Sequence, residues 1–555
     1  MTEKIRAYLR QLYPPKQADE TYHALVSRLI NTPKIGSTRK TRYSEQDVLL
    51  ITYGDSLNHP RQAPLQILRR FALDKLKPLF SGIHILPFYP YSSDDGFSVM
   101  DFYAVNPALG KWDDVVALGA DFDLMFDAVF NHMSAKSDWF RQFLADDPEY
   151  AGLFMTESPH TDLSMVTRPR TSPLLTPFIK PNGETVHLWT TFSADQIDFD
   201  PRTPNTVLRL IDVLLFYISE GATYIRLDAI AFLWKQVGTT SLHLPQTHII
   251  IQLMRAVLDE IAPHVVLITE TNVPHAENIS YWGDGANEAQ MVYNFTLPPL
   301  LFYSLTVGNT QKLRDWINTL KTPSDNTTFF NFTASHDGIG VRPVEGMLSP
   351  DEVDMLADVV QARGGRVSYR TKPDGSQSPY ELNITYVDAI RNPDHPHHLQ
   401  VQKFILSQAV MLTLAGVPAV YIHSLLGSVN DVAGMKRLGH NRAINRAKLD
   451  VTQLEAELST PNTLRHDIFN AYQHLLTTRR DIPDFHPNAS QTALDTGDDA
   501  ILVIRRGENL LAVFNFSDQP HQIDGTVSGY DHLTGETIAD KTVLAPYEVL
   551  WIDMG

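Results

Sequence analysis

Cysteine is absent from the 555-residue chain. That excludes disulfides and thiolate-ligated metal sites and fits a cytoplasmic compartment. Basic residues are scarce: 46 Lys and Arg stand against 64 Asp and Glu, for a net charge of −18. Such a deficit argues against nucleic-acid or anionic membrane partners, which call for basic patches. It leaves room for a small anion in a locally basic pocket. Long apolar runs are almost missing. The opening MTEKIRAYLRQLYPP has no apolar core of a leader, so no secretory signal is expected. One uncharged stretch, residues 404–422, approaches membrane-spanning length. It contains Ser407, Gln408 and Thr413 and breaks at Gly416 and Pro418, so it reads as a buried helix followed by a buried strand.

Short apolar runs separated by helical stretches are what the chain does contain. Length alone suggests roughly three or four domains, fewer if one is a large barrel. Residues 1–46 read as a helical extension, with Ile5, Leu9, Leu25 and Leu29 at helical spacing. Eight runs then follow: 48–55, 83–90, 124–132, 224–229, 265–272, 291–298, 328–338 and 417–428. Fully apolar strands alternating with amphipathic helices predict a parallel sheet covered by helices, and eight such units predict a closed (β/α)8 TIM barrel over residues 47–487. Two stretches are too long for plain connections, 133–200 after the third run and 338–400 after the seventh. Both follow strand ends, so both are expected to overhang the active face. Residues 488–555 alternate short strands with turns and predict a C-terminal antiparallel β domain.

Three runs end in a carboxylate: Asp228 after TYIRL, Glu270 after VVLIT, and Asp337 in FTASHDG. An acid closing a buried strand is costly unless it has a partner or a task. Taken alone, Arg226 and Asp228 read equally well as a structural ion pair. Three such acids at C-terminal strand ends predict a barrel active site, and paired carboxylates are what glycosidic-bond chemistry uses. The string RNPDHPHH (391–398) offers His395, His397 and His398 without helical metal-ligand spacing, and reads as a solvated loop. No metal or cofactor is expected.

DAVFNH (127–132), YIRLDA, ITETN and SHDG resemble, in order and spacing, the four signature regions of the α-amylase superfamily of retaining glycoside hydrolases and transglycosidases. The resemblance implies Asp228 as nucleophile, Glu270 as acid/base and Asp337 as stabiliser of the distorted sugar. Arg226 is expected to hold Asp228 ionised. Asp127, His132 and His336 are expected to bind sugar hydroxyls or brace the site.

IHILPFYPYSSDDGFSVMDF, TRPR, GTTS, SHDGIGV and GHNRAINR narrow the resemblance to the sucrose-phosphorylase subgroup. It implies reversible transfer of a glucosyl unit between an acceptor and inorganic phosphate. Asp94 and Arg442 would grip the far side of the sugar, Phe97 would pack on its face, and Gln196 would lie near the bond cut. Arg168 and Arg170 are candidates to hold phosphate, Arg170 matching the subgroup's phosphate contact, with Tyr380 as hydroxyl donor. Ser378 stands where sucrose phosphorylases carry an acid. With LLTPF (174–178) and the N-terminal helices, SPYEL resembles the glucosylglycerate phosphorylases, which implies D-glycerate as acceptor. Losing a carboxylate there lowers repulsion toward an anion, and the same arginines would hold the acceptor's carboxylate. Glu381 is expected to face a hydroxyl or lie outside the site. Sucrose and glucosylglycerol phosphorylase are the alternatives, and an α-glucoside hydrolase or transglucosidase on the same barrel is a further one. Partners are therefore a small sugar and phosphate. Relatives in the subgroup include dimers, which carries over as the expectation of a homodimer.

Overall fold

The computed structural model describes residues 2–36, 39, 41–371, 376–524, 527–539 and 541–555. Its centre is a closed barrel of eight parallel strands: β1 (Leu49–Thr52), β2 (Gly82–Ile85), β3 (Asp123–Ala128), β4 (Ala222–Leu227), β5 (Val266–Thr269), β6 (Met291–Tyr293), β7 (Thr328–Phe332) and β8 (Val417–Tyr421). They pair in sequence order, with β8 closing on β1. All eight predicted runs form these strands. They are apolar on both faces because one face packs inside the barrel and the other beneath the helix ring.

The N-terminal helices α1 (Thr2–Leu12) and α2 (Pro15–Asn31) lie outside the barrel against α3 (Pro204–Ser219) and α4 (Pro245–Ile261). Tyr13 Oη donates to the Pro201 carbonyl at 2.8 Å, and Arg28 Nε donates to Asp212 at 2.7 Å. The uncharged stretch becomes the buried helix α5 (His397–Thr413) and then strand β8. Among the described residues no helix is long and apolar enough to cross a membrane. The histidine-rich string is not wholly a loop, since His397 and His398 open α5. His397 pairs with Asp467 at 2.7 Å, and no cluster of metal-ligating residues occurs among the described residues.

Both insertions sit on the C-terminal side of the barrel. The first begins and ends as a strand pair, His132–Ser134 against Gln196–Asp198, with Ser134 opposite Gln196. This pairing returns the chain to the end of β3. The second contains helix Pro350–Ala362 and a hairpin, Arg366–Thr371 with Gln377–Asn383. The latter strand also pairs with Ile339–Gly340 just after Asp337.

The C-terminal segment is a six-stranded antiparallel sheet with a separate two-stranded ribbon. Trp551 anchors it: the ring is fully buried, meets Phe485 edge-on at 4.8 Å and donates Nε1–H to Thr413 at the end of α5 at 3.2 Å. Trp551→Ala should cost about 3–5 kcal/mol and lower the thermal unfolding midpoint. An unchanged midpoint would show that the sheet is not docked through this ring.

Candidate active site

The barrel register assembles the acids. Asp127 on β3 stands opposite Arg226 on β4. The ladder between β4 and β5 runs one step past the strands: Glu270 N–H donates to the Leu227 carbonyl at 3.1 Å, which sets Glu270 beside Asp228. Ala229, next in the chain, is left-handed (φ 48°), and its N–H donates to Glu270 Oε2 at 3.0 Å. A non-glycine residue in that region costs roughly 1–2 kcal/mol, so the turn that presents Asp228 is held by the acid it faces. Asp337 arrives from β7. Asp228, Glu270 and Asp337 line one cleft, open at its mouth.

Arg226 lies beneath them, 2% exposed. Its Nη1 contacts both Asp127 and Asp228, the latter at 2.8 Å, and its Nη2 lies 3.9 Å from Glu270. His84 Nε2 donates to the other oxygen of Asp127 at 2.7 Å. Burial would raise the Asp127 carboxyl, but Arg226 and His84 outweigh it and hold it low. Asp228 goes the other way. Burial, together with Glu270, Asp127 and Asp337, pushes its carboxyl well above the usual range despite Arg226. Arg226 does lower Asp228, as expected, but its charge is divided among three carboxylates and burial outweighs it. Glu270 is also raised, by burial first and then by Asp337 against Arg226. Each acid raises the other or is raised by the same burial, so both carboxyls lie above their ordinary range. Asp337 stays low: burial opposes ionisation, but Arg442, Arg446 and Arg226 prevail.

The inner wall of the cleft is built on a tight loop. Asp94 and Asp95 are both left-handed (φ 54° and 47°), and a side chain on Gly96 would meet the Pro87 carbonyl at 2.5 Å. Gln196 Nε2 donates to Asp94 and to the Phe97 carbonyl, each at 3.3 Å. His132 donates Nε2–H to the same carbonyl at 2.9 Å. Phe97 stacks flat on His336, with centroids 4.7 Å apart and planes at 5°. Burial pushes both histidines down, His336 well below its ordinary value, so both are neutral.

The outer wall departs from expectation at several residues. Arg170 lines the cleft, its guanidinium 5.8 Å above Phe192 and 5.7 Å above Tyr380, with no ion pair among the described residues. Arg168, two residues away, is exposed and spends its guanidinium on the Ser172 carbonyl, outside the cleft. Ser378 also lies outside. It accepts from Arg370 at 3.4 Å in a separate surface cavity, on a hairpin whose register shifts by a bulge. Glu381 does line the cleft, where it forks onto Arg442, at 3.0 Å through Nε and 2.6 Å through Nη2. Arg442 also meets Asp337 at 2.6 Å. It thus bridges two acids while lining the same cleft as Asp94. Residues missed from sequence are Phe192, Asn272 and Arg342 in the cleft wall, and Arg446, which ties Asp95 at 2.6 Å and the His336 carbonyl at 2.8 Å. Asn272 and Arg446 close the strings ITETN and GHNRAINR, but what each of the four does depends on tertiary contacts.

The raised acids make a stability prediction. Their folded pKa values lie above the unfolded ones, so the stability they contribute is present below about pH 4 and is lost as pH rises through the folded values. Asp228→Asn removes one such burden. Its unfolding midpoint should exceed that of the wild type near neutral pH, with a margin that narrows on acidification. A margin that widens instead would show Asp228 to be stabilised as the anion.

Comparison with known proteins agrees with this geometry. Residues 72–346 match the family model described as alpha amylase, catalytic domain. A glucosylglycerate phosphorylase of Allomeiothermus silvanus is 48% identical, over 93% of this chain and 92% of that protein. One from Escherichia coli is 44% identical over the full length of both. The crystal structure of sucrose 6F-phosphate phosphorylase from Thermoanaerobacter thermosaccharolyticum superposes with a TM-score of 0.75 at 23% identity, covering 90% of this chain and 98% of that one. The chain belongs to the α-amylase family, in the branch of glycoside phosphorylases that includes the glucosylglycerate phosphorylases.

Proposed function

We propose that this enzyme catalyses the reversible phosphorolysis of 2-O-α-glucosyl-D-glycerate, giving α-D-glucose 1-phosphate and D-glycerate with retention at the anomeric carbon. The observation that carries the reading is a guanidinium without a carboxylate partner, Arg170, in the same cleft as the acid pair. A hydrolase needs the acids alone. An enzyme that must prefer phosphate to water needs fixed positive charge where the incoming anion sits. Similarity over 93% or more of the chain to two glucosylglycerate phosphorylases supports the acceptor.

Asp228, as the carboxylate, attacks the anomeric carbon while Glu270 gives its proton to the departing glycerate oxygen. The proton thus starts on Glu270, and departure of the leaving group carries it to glycerate. A glucosyl ester on Asp228 remains. Phosphate then enters, gives its proton to Glu270 and displaces Asp228, so two inversions restore the α configuration. Asp337, held anionic by Arg442 and Arg446, balances the positive charge that develops on the ring. Arg170 and Tyr380 orient the phosphate. A cytoplasmic location and a homodimer belong to the same proposal, supported by the resemblance within the subgroup.

α-Glucose 1-phosphate incubated with D-glycerate should release phosphate in step with new glucoside; free glucose as sole product would make the protein a hydrolase. Asp228→Ala should reduce turnover to background with the fold intact, and near-normal rates would overturn its role as nucleophile. Arg170→Ala should lower kcat/KM for phosphate about 100-fold, roughly 2.7 kcal/mol, while residual hydrolysis changes severalfold at most. Equal losses would assign Arg170 to loop structure.

A further inference from the structure

The double displacement handles two anions in turn, phosphate and the acceptor's carboxylate, and the cleft holds more than one cation to receive them. Arg442 is consumed by Asp337 and Glu381, and Arg226 by Asp127 and Asp228. Two guanidiniums in the cleft keep capacity. Arg170 comes from the first insertion. Arg342 comes from the short helical turn Arg342–Val344 after β7. Among the described residues its single ion pair is long, 3.7 Å to Glu277, a carboxylate that is 44% exposed and already accepts from His243 at 3.1 Å. Its Nε is buried and has no hydrogen-bond partner.

Arg342 stands on the side of the general acid. Asn272 follows Glu270 by two residues and abuts Gly340, where a side chain would lie 2.6 Å from the Asn272 amide nitrogen. Gly340 is two residues before Arg342. The carboxamide oxygen of Asn272 is also buried without a partner. A buried donor and a buried acceptor left unpaired in a cleft wall are costly unless a ligand completes them. Beside the acid that protonates the leaving oxygen, they form a pattern for a compact α-hydroxy carboxylate. Glu270 meets the bridging oxygen, Arg342 the carboxylate, and Asn272 accepts from a further hydroxyl.

We propose that Arg342 is the residue that reads the acceptor's carboxylate, with Asn272 beside it, so that selection of an anionic acceptor is separate from phosphate binding at Arg170. This rests on the phosphorylase reading above and goes beyond it in assigning the second anion its own guanidinium. The test compares wild type, Arg342→Ala and Arg342→Lys with α-glucose 1-phosphate as donor and either D-glycerate or glycerol, which keeps the carbon skeleton without the charge. The ratio of kcat/KM for glycerate over glycerol should fall about 100-fold in the alanine variant, mainly through KM for glycerate, with part of it kept by lysine. An unchanged ratio overturns the proposal. So does an equal rise in KM for phosphate, which would make Arg342 a general anion contact. Calorimetric titration of the free proteins with D-glycerate judges the residue without turnover. Weaker binding to Arg342→Ala than to wild type supports the assignment, and equal binding, or none to wild type, refutes it. Failure of wild type to release phosphate with either acceptor would instead count against the phosphorylase reading.

Discussion

The structure turns on one buried guanidinium. Arg226 sits at the floor of the cleft, where removal from water costs several kcal/mol unless the charge is met. Asp127 on the neighbouring strand and Asp228 at the end of its own strand meet it, and His84 fixes the free oxygen of Asp127. The contact is set by strand register, Asp127 against Arg226, rather than by a loop. The carboxylate proposed as nucleophile is therefore located by the most rigid part of the fold, which suits a reaction needing its two acids at a narrow separation. The same cluster explains the titration pattern. One positive charge shared by three carboxylates holds Asp127 low and leaves Asp228 and Glu270 raised.

Around that floor the cleft divides by origin. The inner end is made from strand termini and the 94–96 loop, tied down by Arg446 and by Gln196 where the first insertion returns to the barrel. The outer end is made from the two insertions and the turn after β7, which supply Arg170, Tyr380, Glu381 and Arg342. Chemistry fixed on strands and selectivity fixed on loops is the division of labour expected of a barrel enzyme. It allows the acceptor to change without displacing the acids. Glu381 illustrates the coupling between the two ends: by forking onto Arg442 it helps orient the cation that keeps Asp337 ionised.

Much of this was legible in the amino-acid order. The eight strands were visible because each is apolar on both faces, and Asp228, Glu270 and Asp337 because a carboxylate closing such a run has no packing rationale. Side-chain direction outside the strands was not legible. Arg168 and Arg170 differ by two residues, yet one turns to the Ser172 carbonyl and the other stacks between two aromatic rings contributed from elsewhere. Ser378 and Tyr380 share a strand, but the bulge at residues 368/369 re-aims the hairpin, and only Tyr380 reaches the cleft. Arg342 carries no local mark at all. Its meaning comes from Asn272 and Glu277 on the β5 side. Periodicity encodes elements; loop orientation is decided by distant contacts that no short window contains.

The central claim is that Asp228 becomes covalently glucosylated while Glu270 manages the proton. Its most direct test is mass spectrometry of peptides from Glu270→Gln protein briefly exposed to α-glucosyl fluoride, a donor whose leaving group needs no proton. The account predicts one hexosyl unit, carried on the peptide that contains Asp228. A hexosyl unit on any other residue, or none under conditions where fluoride is released, would contradict it.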